Sequence, residues 1–155
     1  MTQEQIVYKK YEFFNNIIKN NNKIEEEYII DTQILDLVYY FNTFKEIFTT
    51  ACCEGKLIDS DITCYPYITF LMSDDTKLSD IITQIVIPIS NLSKIEEVVI
   101  MIKGTNNISF NIYWKEVNGI TLTTIQDIKN ILSLASLTFD DEFAKNFYKK
   151  IKQLN

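Results

Sequence analysis

Residues 98–114, VVIMIKGTNNISFNIYW, constrain the fold more tightly than any other stretch of the chain. Ile108, Phe110, Ile112 and Trp114 alternate with Ser109, Asn111, Tyr113 and Lys115. Side chains that repeat every second residue belong to a strand with one face buried. The preceding run supplies Val98, Ile100 and Ile102 at the same period. A loop over residues 103–107 pairs Ile102 with Ile108, Ile100 with Phe110 and Val98 with Ile112. All six then lie on one face, so pattern and register agree. With Trp114, that face is expected to be core. The opposite face carries Val99, Met101, Asn111 and Tyr113, a mixture that solvent, a helix of the same chain or a partner would all tolerate.

Other segments carry weaker strand signals. Residues 62–72 alternate Ile62, Cys64, Ile68, Phe70 and Met72 with Tyr65, Tyr67, Thr69 and Leu71. Pro66 lacks an N–H for the ladder, which points to an edge strand or a bulge. Asn118-Gly119 is a favoured two-residue hairpin turn. It would place Ile120 and Leu122 on the face opposite Trp114, so a bulge near residues 115–117, or cover on both faces, is expected. Residues 76–89 are ambiguous: Leu78, Ile81, Ile82, Ile85 and Val86 suit a helix, whereas IVIPI is β-branched and holds Pro88. A short helix leading into a strand is the reading adopted.

Helical spacing marks both ends of the chain. Thr2 and Gln5 form a capping-box pattern ahead of Ile6, Phe13, Phe14, Ile17 and Ile18. A longer helix is predicted after Asp31, with Ile34, Leu37, Val38, Phe41, Phe48 and Ala51 inward and Gly55 as its stop. Thr124 is a candidate cap for a third helix through Ile125, Ile128, Leu132 and Ala135. Thr138 is one for a fourth, with Phe139, Phe143, Phe147 and Ile151 as its apolar stripe. Acidic Asp140, Asp141 and Glu142 and basic Lys145, Lys149, Lys150 and Lys152 suit the two poles of that last helix. Strands grouped between helices argue for α+β. The expectation is one domain over 1–155: an antiparallel β-meander of four to five strands flanked by two N-terminal and two C-terminal helices. At 18.2 kDa, one domain is the natural count.

Composition decides mostly by what is missing. The chain has no His and no Arg. There is no imidazole for a Ser-His-Asp or Cys-His centre or for metal ligation. There is no guanidinium fork for phosphate or guanine. A net charge of −6 disfavours nucleic acid. Glycines at 55, 104 and 119 build no phosphate-binding loop. Cys52, Cys53 and Cys64 form neither a disulfide framework nor a zinc pattern and read as core thiols in a reducing compartment. The carboxylate clusters, including Asp59, Asp61, Asp74 and Asp75, match no EF-hand spacing and read as caps and solvated loops. No apolar run approaches the roughly 20 residues of a membrane span, and the first ten residues hold no signal-like apolar region.

These observations lead to the expectation of a non-catalytic structural or adaptor subunit that binds other proteins in a multi-subunit assembly. The expected contact surface is Tyr65, Tyr67, Val99, Met101, Asn111 and Tyr113, since tyrosine is enriched at interfaces. No cofactor, metal, nucleic acid or membrane is expected, and a homo- or hetero-oligomer is. The 26 Ile, 14 Asn and 15 Lys follow A/T-rich codons. That bias makes a phage or viral particle component the most specific guess, in the cytoplasm or in a virion. The alternatives are a small acidic inhibitor, chaperone or antagonist, and a carboxylate- and divalent-cation-dependent enzyme.

Overall fold

The hairpin read from residues 98–114 is present in the expected register, with Lys103 and Asn107, placed in the loop by the sequence reading, paired as the last rung. In the computed structural model, strands β5 (Ile95–Lys103) and β6 (Asn107–Trp114) pair antiparallel. Ile102 lies opposite Ile108, Ile100 opposite Phe110 and Val98 opposite Ile112. The structure describes residues 1–19, 35–53, 56–58, 61–64, 66–103, 107–115 and 120–148. The remaining elements are helices α1 (Gln3–Lys19) and α2 (Leu35–Asn42), strands β1 (Ile47–Cys53), β2 (Lys56–Ile58), β3 (Asp61–Cys64) and β4 (Tyr67–Met72), and three further helices. Of these, α3 runs through Leu78–Ile81, a π segment Ile82–Val86 and Ile87–Ser90. Helix α4 is Leu122–Leu134, and α5 is Asp141–Phe143 continued by a π segment Ala144–Tyr148.

The fold is α+β, with a four-stranded antiparallel sheet in the order β1-β4-β6-β5. Two hairpins lie side by side, and α3 crosses from the end of β4 to β5 at the far edge. Strands β2 and β3 pair with each other in nearly the register of β1 and β4, as a separate two-stranded sheet. Pro66 stands just before β4, which is interior rather than an edge. Its carbonyl still accepts from Trp114 N at 3.0 Å, because proline removes a donor and not an acceptor.

Three predicted elements are corrected. The long second helix stops at Asn42, and residues 47–53 are strand. Asn42 causes the stop: its Nδ2 donates to Val38 O (2.8 Å) and Thr49 Oγ1 (2.7 Å), and its Oδ1 accepts from Thr49 N (3.1 Å). One amide thus ends the helix and anchors the strand, and β-branched Ile47, Thr49 and Thr50 favour extension. The IVIPI strand is helix instead. Pro88 offers no N–H to the preceding turn, and the π segment directly before it widens that turn, with Ile87 N–H donating to Ile82 O. Finally, no strand follows Asn118-Gly119, which lies outside the described residues. Thr121, not Thr124, caps α4 at once, accepting from Thr124 N. The face conflict disappears: Ile120 is buried in the core, and Leu122, in the first turn of α4, is 83% exposed.

The core lies between one sheet face and α2, α3 and α4. Phe70 stacks on Phe110 with centroids 5.1 Å apart, and Phe41 from α2 meets Phe70 at the same distance. Ile85 and Ile89 of α3 and Ile128 and Leu132 of α4 complete the layer. At its outer end the predicted core face is not core: Ile102 is 64% exposed and Ile108 half-buried. The capping box at Thr2 and Gln5 is formed reciprocally, at 2.9 and 3.3 Å. Asp140, rather than Thr138, caps α5 by accepting from Phe143 N at 3.0 Å. Among the described residues no helix is long and apolar enough to cross a membrane.

Candidate functional site

The second sheet face holds most of the predicted contact residues. Odd-numbered positions of β4, β5 and β6 point there, and register sets Tyr67 opposite Tyr113, Thr69 opposite Asn111 and Asn111 opposite Val99. Helix α1 packs on this face at the β1 side, where Phe13 meets Phe48 at 5.8 Å. Between α1 and β5 no other described element covers the sheet. A groove of about 490 Å³ runs there, with Met1 and Lys9 of the α1 segment on one side and Thr69, Leu71, Ser109, Asn111 and Met101 beneath.

The polar groups in this floor are already oriented. Thr69 Oγ1 donates to Asn111 Oδ1 at 2.5 Å, and Asn111 Nδ2 approaches Met101 Sδ at 3.0 Å. Asn111 is buried, with both amide atoms engaged by its neighbours. Met101 is 39% exposed, and Val99 is half-buried. Tyr67 and Tyr113 lie 6.2 Å apart, tilted by 39°. Tyr113 also borders a separate hollow of about 350 Å³ with Glu96, Glu97 and Trp114. Of the predicted residues, Met101 and Asn111 line the groove and Tyr113 the hollow, while Tyr67 and Val99 line neither. Tyr65 lies outside the described residues.

Sequence reasoning missed a second cluster, at the seam of α1, α2, β1 and α5. Lys10 is completely buried. Its Nζ donates to the carbonyls of Asn42 (3.0 Å) and Phe44 (2.7 Å) and lies 5.6 Å from the Phe143 ring centroid. Desolvation lowers its pKa to about 7, although the carboxylates of Asp140 and Glu46 pull it upward. Asp140, also buried, accepts from the Tyr11 hydroxyl at 2.9 Å. Burial and that bond push the Tyr11 pKa up. Glu46 accepts from Thr138 N at 2.9 and 3.0 Å, beside an isolated bridge between Phe44 and Phe139. Position 10 lies four residues after Ile6 and four before Phe14, on the apolar stripe of α1, so a lysine interrupting that stripe was the available signal. The Lys10 amine has no exposed surface, and its two hydrogen bonds tie α1 to the end of α2 and the turn after it.

The acidic pair at 74–75 serves the same seam. Asp74 accepts from the Met1 amino group at 2.7 Å, and Asp75 from Gln3 N at 2.9 Å. Among the described residues no three His, Cys, Asp or Glu side chains converge as a metal site would require. Asp59 and the side chains of Asp61 and the three cysteines lie outside the described set. No protein family, no curated protein and no solved structure matches the chain.

Proposed function

We propose that this chain is a non-catalytic structural or adaptor subunit whose open sheet face receives another protein. The groove beside α1 carries the reading. It offers Met101 and Leu71 as apolar contacts and a row of polar groups whose geometry is set before any partner arrives. Fixed side chains lose little rotamer freedom on association, which favours a protein surface over a solvated one. The tyrosine pair at the end of the same face adds two rigid amphipathic rings. A component of a phage or viral particle, in the infected cytoplasm or in the virion, is the most specific form of this proposal, and codon usage alone supports it.

Affinity capture from the native source, with the partners identified, tests the reading. Ser109→Arg fills the groove floor without touching the core, so it should abolish capture while leaving circular dichroism and Tm unchanged. If the wild-type chain retains nothing, or retains the same proteins as Ser109→Arg, the reading fails.

A further inference from the structure

Strand β5 is nine residues long, and β6 is its only ladder partner among the described residues. Its outer edge therefore has no backbone partner among the described residues. Which backbone groups face that edge follows from two hydrogen bonds. Trp114 N donates to Pro66 O on the β4 side, and Lys115 N donates to Lys94 O on the β5 side. Even residues of β6 thus bond β4 and odd residues bond β5. By register, Glu97, Val99 and Met101 bond β6, and the N–H and C=O groups of Val98, Ile100 and Ile102 point outward.

Edge strands are normally guarded by charge, proline or a bulge. Here the bulge and the two glutamates sit at the start of β5, between Ile95 and Glu97, and residues 98–102 carry no guard. The same run contains Met101 and Ile102, two of the exposed large apolar side chains of the molecule, one on each sheet face.

We propose that β5 pairs antiparallel with β5 of a second copy of this chain, about a two-fold axis at Ile100, joining the two sheets into one. The register is self-consistent at every position. Val98, Ile100 and Ile102 of one copy meet Ile102, Ile100 and Val98 of the other, and these are the residues whose backbone groups face outward. Val99 meets Met101 across the second face, so both exposed apolar side chains gain a neighbour. Glu97 stands opposite Lys103 twice, by symmetry. A shift by two residues in either direction preserves the hydrogen-bond phase but sets Glu97 against Met101, or Lys103 against Val99. Charge complementarity thus selects the two-fold register at Ile100. The proposal goes beyond the adaptor reading and does not rest on it, because the groove floor at Ser109 and Thr69 stays open in the dimer.

Sedimentation equilibrium and hydrogen exchange on the full chain test it. The mass should approach twice 18.2 kDa and fall on dilution. Amides of Val98, Ile100 and Ile102 should lose protection with that fall, while those of Val99 and Met101 stay protected. Glu97→Lys should weaken the dimer by roughly tenfold, since two symmetry-related pairs become repulsive. Combining it with Lys103→Glu should restore dimerisation. A single-chain mass at all concentrations, or a double variant as weak as Glu97→Lys, overturns the proposal. The capture experiment on Ser109→Arg is scored separately, so either conclusion can fall alone.

Discussion

The wild-type protein should gain stability between pH 7.5 and 9.5, and replacing Lys10 by methionine should abolish that rise. The lysine pKa is lowered from 10.5 to about 7 by burial, a span worth about 5 kcal/mol at about 1.4 kcal/mol per unit. The unfolded chain holds this proton up to about 10.5, and the folded chain releases it near 7. Between these values the unfolded state binds more protons, so unfolding free energy increases with pH. Integrated from pH 7.5 to 9.5, the gain is about 2.5 kcal/mol. Tyr11 and Tyr40, whose hydroxyl pKa values burial raises, act with the opposite sign at higher pH and set the top of the window. Methionine matches the length of lysine but leaves the Asn42 and Phe44 carbonyls without their donor, at about 1–3 kcal/mol each. That loss offsets most of the relieved desolvation at pH 7.5. At pH 9.5, where the wild-type amine is neutral in the fold, the variant should be the less stable by about 2.5 kcal/mol. Urea unfolding at several pH values reads both slopes. A flat wild-type profile, or an equal rise in Lys10→Met, would refute the reasoning.

Two further substitutions probe the frame around the sheet. Asn42→Ala removes three hydrogen bonds that end α2 and anchor β1, and should cost about 2–3 kcal/mol by denaturant titration; a loss below 0.5 kcal/mol would remove Asn42 as the cause of the helix stop. Phe70→Ala opens the stacked centre between Phe41 and Phe110 and should cost about 3–5 kcal/mol, visible as a matching drop in the urea midpoint without a change in slope.

The legible parts of the fold were those where local pattern and tertiary environment demand the same thing. Strands β5 and β6 alternate because one face is packed under α2, α3 and α4 and, among the described residues, the other is only partly covered, and their register followed from matching the two apolar rows. The capping box of α1 is local chemistry and was readable as such. The misread segments are those where one residue overrides its neighbours. Phe48 and Ala51 continue a helical spacing that Asn42 has already ended. Pro88 argues against a regular helix, yet a widened turn absorbs it. Of the candidate site, the second sheet face was legible because parity places it. Its groove was not, since its wall is α1, whose position depends on contacts 70 or more residues away, such as Gln3 to Asp75. Lys10 was hidden for a similar reason: a lone lysine in a helix reads as solvated until the covering elements are known.

The bond between Tyr11 and Asp140 spans 129 residues, and Phe143 completes the cover over Lys10. During synthesis, α1 emerges long before that cover exists, and contacts of such separation close late. The Lys10 amine should therefore stay hydrated and cationic while the sheet assembles, and be dried when α5 docks. Near pH 8.5 that final step expels a proton into the solvent, so the arrival of α5 carries its own reporter: a pulse of acid, readable with an indicator dye during refolding, that lags the formation of the strands.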